Sequence, residues 1–138
     1  MWRLPTVLCA LALGLTSCRR SGQEAVYPVT GKVFFNGRPA EGAIVSFVSR
    51  DPSDPAARRP GGQVAPDGSF RLSTYASFDG APAGQYAVTI SYPSPEQKEN
   101  GENAGPDLLQ GRYADPKTTP LVADVKRGEN HLEPFQLQ

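Results

Sequence analysis

Gln85-Tyr86-Ala87-Val88-Thr89-Ile90-Ser91-Tyr92 alternates large apolar residues (Tyr86, Val88, Ile90, Tyr92) with small or polar ones (Ala87, Thr89, Ser91). Successive side chains of a strand point to opposite faces, so a period of two over this length predicts a strand with one face in a core and the other toward solvent. Gly84 and Pro93 bound the run, and both interrupt regular structure.

Working outward, the same signal recurs in short runs separated by Gly, Pro, Asn and Asp, which predicts an all-β domain built as a seven-stranded antiparallel β-sandwich. The first strand is expected over Val29 to Phe35, closed by Asn36-Gly37, a pair that tolerates the positive φ of a tight turn. Ala43 to Val48 follows, with Ala43, Val45 and Phe47 on one face. A short strand near Gln63-Val64 leads through Pro66-Asp67-Gly68 into Ser69 to Thr74, where Phe70 and Leu72 point one way. Leu121 to Val125 repeats the alternation, and Gly128-Glu129-Asn130 turns into a last strand ending in Phe135 and Leu137. Pro134 has no N–H to donate, so that strand is expected at an edge or bulged. Ser49 to Gly62 and Pro93 to Thr119 read as loops; a single helical turn around Pro106 to Gln110 and an anchor at Tyr113 are expected in the second.

The chain has 138 residues, with 14 Lys plus Arg against 14 Asp plus Glu. That length fits one domain. A near-neutral balance argues against a nucleic-acid partner, which would require a concentrated basic face. At the start, Met1-Trp2-Arg3 precedes an apolar run from Leu4 to Leu15 and then Thr16-Ser17-Cys18. A bilayer-spanning helix requires roughly 20 residues, so this shorter run reads as a signal peptide over residues 1–17.

Leu15-Thr16-Ser17-Cys18 resembles the lipobox of bacterial lipoproteins, in which the cysteine is diacylated and becomes the mature N-terminus. The alternative is an ordinary signal peptide cut at a nearby small residue. Two acyl chains hold a protein stably on a membrane where one does not, so a lipid on Cys18 suffices for retention. Cys9 leaves with the leader, which excludes an intrachain disulfide from the mature protein. Residues 18–26 read as a lipidated flexible tether and residues 27–138 as the β domain. Arg19 stands where lipoproteins kept in the inner membrane of diderm bacteria often carry Asp, so outer-membrane placement is expected.

Taken in order, Gly31-Lys32-Val33, Asn36-Gly37-Arg38-Pro39-Ala40-Glu41-Gly42-Ala43, Asp67-Gly68-Ser69-Phe70 and Pro82-Ala83-Gly84-Gln85-Tyr86 resemble the carboxypeptidase regulatory-like domain. That domain is a relative of the transthyretin-like and collagen-binding B-type sandwiches. The resemblance covers residues 29 to 92 and implies a Greek-key, prealbumin-like sandwich in a cell-envelope setting. Tyr113-Ala114-Asp115-Pro116 and the Gly128-Glu129-Asn130 turn resemble the C-terminal part of small bacterial lipoproteins built on such a domain. No ligand is implied, because one fold hosts many functions.

The inventory for catalysis is thin. His131 is the one histidine, and with no free thiol zinc sites of the usual N/S kind are excluded, so no catalytic residue, metal or cofactor is expected. Hydroxyisourate hydrolases share the transthyretin-like fold but use several histidines and a Tyr-Arg-Gly-Ser tail; this chain ends Phe135-Gln136-Leu137-Gln138. Collagen-binding B-type domains often link a first-strand lysine to a last-strand asparagine, and Lys32 with Asn130 occupy comparable places. The strand over Gln85 to Tyr92 lacks the acid that such a bond requires, so none is expected. Glu96, Glu99, Glu102 and Asp107 carry oxygens suited to calcium without a regular spacing, and read as a solvated acidic loop. Arg50, Arg58 and Arg59 read likewise as a soluble loop, with contact to anionic surface polymers as the alternative.

The functional expectation is a non-catalytic, lipid-anchored module held on the membrane through Cys18, binding an envelope protein or polysaccharide. The alternative is a carrier of a small apolar ligand through a transthyretin-like oligomer.

Overall fold

The computed structural model describes residues 23–51, 53, 59–95 and 105–138; residues 1–22 with Cys18, and also Arg58, Glu96, Glu99 and Glu102, lie outside them. The described residues form nine strands and no helix. They are β1 (Val29–Phe35), β2 (Arg38–Pro39), β3 (Ile44–Ser49), β4 (Gly61–Gln63), β5 (Ser69–Arg71), β6 (Gly84–Ser91), β7 (Val122–Val125), β8 (Asn130–His131) and β9 (Phe135–Leu137). The alternation that predicted β6 is realised in part: Tyr86, Val88 and Ile90 enter the core and Thr89 and Ser91 stay half-exposed, but Ala87, expected toward solvent, is buried as well.

One sheet runs β4-β3-β6-β7, antiparallel throughout, with Val45 opposite Ile90, Phe47 opposite Val88, and Tyr86 opposite Ala123. The other is centred on β1. Val29 and Val33 turn their backbone groups toward Leu72, Gly68 and Ala40, on the side of β5 and β2. Pro28, Thr30 and Asn36 turn theirs toward Asn130, Leu132 and Leu137, on the side of β8 and β9. The inner faces share one core, in which Val29, Val33, Phe70, Leu72 and Leu137 meet Val45, Phe47, Val64, Val88, Ile90 and Val125. Phe47 and Tyr86 pack with ring centroids 5.5 Å apart, and Phe70 and Phe135 stack at 6.4 Å.

Two expectations are corrected. The β1 sheet is mixed, since β8 and β9 run parallel to β1. Parallel neighbours require a long crossover, and here nearly the whole domain lies between them. The helical turn at Pro106 to Gln110 is replaced by tight turns, because Gln110 and Gly111 take φ of 54° and 75° and leave the right-handed path. The count of nine strands has local causes. Asn36 and Gly37 adopt positive φ and turn β1 into β2, as the pair predicts. The last strand is interrupted over residues 132–134, where Pro134 offers no N–H. Tyr113 does anchor its loop: its carbonyl accepts from Ile90 N at 2.9 Å, and its ring packs on the core.

β4 and β5 carry the corner between the sheets. Gly61 and Ser73 exchange both backbone hydrogen bonds, at 3.1 and 2.9 Å, and Ala65 N donates to Ser69 O at 2.8 Å. The two strands therefore run side by side although each belongs to a different sheet. Between those contacts, a Cβ on Gly62 would collide with the Arg71 carbonyl oxygen. Gly62→Ala is expected to destabilise the protein by about 1–3 kcal/mol through forced backbone separation. Urea denaturation measures this, and an unchanged midpoint would show that the corner can open freely.

Candidate functional site

The chain beyond β5 forms a short loop over residues 74–80 that one carboxylate organises. Asp79 accepts backbone N–H bonds from Thr74 at 2.7 Å and from Tyr75 and Ala76 at 3.0 Å each. Thr74 Oγ1 donates to Gly80 O at 2.7 Å, and Phe78 N donates to Ser73 Oγ at 2.8 Å. Burial pushes the Asp79 carboxyl up, but the three N–H groups outweigh it and hold the group below the usual carboxylate range. The loop is tied to the start of the domain: Tyr27 and Ala81 pair through backbone bonds, and Glu24 N donates to Tyr75 Oη at 3.1 Å.

At the tip stands Phe78, 62% exposed and with φ of +59°. The left-handed region costs a bulky side chain roughly 1–2 kcal/mol, and exposure returns little hydrophobic stabilisation. Phe78 is thus held in an unfavourable conformation in the open. The Arg71 guanidinium lies 5.5 Å from its ring centroid, within cation–π range. Together they wall a groove of about 580 Å³ along the β4–β5 corner, floored by Gly62, Gln63 and Val64 and reaching Pro66 and Glu41. Among the described residues, no ion pair or hydrogen bond engages the Arg71 guanidinium, the Gln63 amide or the Glu41 carboxylate.

The residues singled out in the sequence lie elsewhere. His131 is on the outer face of the β1 sheet, with Nδ1 2.9 Å from Thr30 Oγ1 and Nε2 3.5 Å from Glu129 Oε2. The order hydroxyl, imidazole, carboxylate matches a catalytic triad, but the imidazole and carboxylate side chains are 75% and 77% exposed. A triad carboxylate works from a buried position, where its charge is little screened. Lys32 is exposed, and Asn130 is buried opposite Val29, not opposite Lys32. The Asn130 amide is already engaged: it donates to Lys126 O, Gly128 O and Pro28 O, and its oxygen accepts from Lys126 N. Asp107 likewise uses both oxygens on the backbone N–H groups of Tyr92, Leu109 and Gly111, which fixes the turn that buries Leu109. Burial raises its carboxyl, but those bonds with Arg112 nearby prevail and hold it low. Arg50 and Arg59 are exposed, Arg50 pairing its N–H with Gln85 O.

Among the described residues no three His, Cys, Asp or Glu side chains come together to hold a metal, and no helix is long and apolar enough to cross a membrane. No family model matches the chain, and no curated protein or solved structure matches it. Sequence reasoning missed the Phe78 loop. Its signal was an aromatic residue inside Ser77-Phe78-Asp79-Gly80, a turn composition that offers no core for it.

Two outcomes are expected. Phe78→Asn, which accepts positive φ, leaves stability unchanged or raises it by about 1 kcal/mol in a melting experiment; a loss of that size would mark the ring as a packing residue. The carboxyls of Asp79 and Asp107 sit lower in the folded than in the unfolded chain. Their contribution is therefore present above about pH 4 and is lost as pH falls through their folded values. Asp79→Asn flattens the fall in stability measured between neutral pH and pH 3.

Proposed function

We propose that the chain is a non-catalytic binding module of a bacterial cell envelope, anchored by lipid on Cys18 and folded as a Greek-key, transthyretin-like sandwich. The fold reading is supported by the arrangement of nine strands in seven lanes. β2 and β5 share one side of β1, β8 and β9 share the other, and the second sheet supplies four more. The order of turn motifs that resembles the carboxypeptidase regulatory-like domain supports the same reading.

The binding role is carried by one observation, the display of Phe78 in a strained, exposed conformation beside unpaired polar side chains. Backbone strain persists only where the surroundings impose it, and it concentrates at sites of function. The anchor is supported by the Leu15-Thr16-Ser17-Cys18 sequence and by where the domain begins. Among the described residues the first hydrogen bond to the fold is made by Glu24, six residues after Cys18, and six residues of chain reach at most about 20 Å. The domain so tethered works at the membrane surface, with an envelope protein or polysaccharide as its partner.

Intact mass of the full chain expressed in a diderm bacterium tests the anchor. A membrane-bound species starting at Cys18 with added acyl mass is expected, and Cys18→Ala abolishes both the mass and the retention. A soluble product cut elsewhere, with a free Cys18 thiol, would contradict the reading.

A further inference from the structure

The groove beside Phe78 is lined by ten residues. It follows the β4–β5 corner from Phe78 and Ser73, near the end where the chain reaches the domain, to Pro66 and Glu41 at the other. The lining residues 62 to 65, if fully extended, span roughly 10 Å. Its volume of about 580 Å³ lies within the range of ligand-binding clefts.

Its lining combines one exposed aromatic ring, with the Arg71 guanidinium over it, and donors and acceptors of both kinds. Arg71 supplies N–H donors, Glu41 acceptors, Gln63 both, and the Ser73 hydroxyl retains its own proton while accepting from Phe78 N. A sugar ring requires this mixture. Its axial C–H face is apolar and lies flat on an aromatic ring, while its rim of hydroxyls takes planar, two-pronged partners such as guanidinium, amide and carboxylate. A protein interface would instead centre on a contiguous apolar core. The large exposed apolar residues among the described residues are separated: Phe78 on its loop, Ile44 on β3 and Val122 two strands away on β7 at a different register, and Leu108 on a turn within the second loop.

We propose that this groove binds a linear chain of pyranose sugars, with Phe78 as the stacking platform and Arg71, Gln63 and Glu41 reading the hydroxyl rim. This rests on the binding role proposed above and names its ligand class. It does not depend on the lipid on Cys18.

The test uses the full chain, purified from membranes in detergent or from the soluble fraction, wherever it is found. It is applied to an array of linear α- and β-linked hexose and N-acetylhexosamine oligomers. Saturable binding to at least one such oligomer is expected, weakened about tenfold in Phe78→Ala and in Arg71→Ala, the scale of one aromatic or charge-assisted contact. Phe78→Asn, expected to fold at least as stably, loses binding to the same extent and separates recognition from folding. Binding of no oligomer, or equal binding by all variants, would overturn the proposal. Competition at Phe78 by a peptide without any glycan binding would also overturn it, leaving the binding role itself intact. A soluble chain that binds glycan would refute the anchor and leave the groove.

Discussion

The close approach of two backbones at the β4–β5 corner governs this structure. Gly61 and Ser73 exchange hydrogen bonds across the boundary between the sheets, and Gly62 passes so near the Arg71 carbonyl that no side chain fits there. Because the corner is closed, Val64 and Leu72, the residues directly after β4 and β5, face a common core from the two sheets. The same approach brings Gln63 beside Arg71 and starts the loop that lifts Phe78. Fold and groove have one cause.

Short polar side chains take over where the ladders end. Asp67, Asp79, Asp107 and Asn130 each satisfy backbone groups of a turn that has no strand partner. A buried or half-buried N–H left unpaired costs about as much as a lost hydrogen bond, so such residues decide which loop conformation survives. For Asp79 the result is strain concentrated on its neighbour: three N–H bonds to one carboxylate fix the loop, and Phe78 accepts the left-handed backbone that follows. A loop determined by this many bonds fixes the backbone that carries the aromatic ring, and under the proposed binding role that lowers the entropy lost on binding.

The strands were legible because burial leaves a period in the sequence. Tyr86, Val88 and Ile90 announce β6, Phe70 and Leu72 announce β5, and Asn36-Gly37 announces the turn after β1. Strand direction was not legible, since nothing in the apolar pattern of Phe135 and Leu137 distinguishes parallel from antiparallel pairing with β1. The groove was hidden for a related reason. Glu41 stands 22 positions before Gln63, while Gln63, Arg71 and Phe78 sit on separate elements that converge only through the corner, and Phe78 follows no period. The sequence instead drew attention to His131 and to the acidic run that includes Asp107. The described geometry places His131 on an open face and commits Asp107 to holding a turn.

The proposed groove requires the Asp79 loop to be a fixed platform. Backbone ¹⁵N relaxation of residues 74–80 tests this directly. It predicts order parameters near 0.85 at Tyr75, Ala76 and Phe78, equal to those of β6. Values below about 0.6 at these residues would contradict it, since a loop moving that freely neither sustains the strain at Phe78 nor holds a groove open.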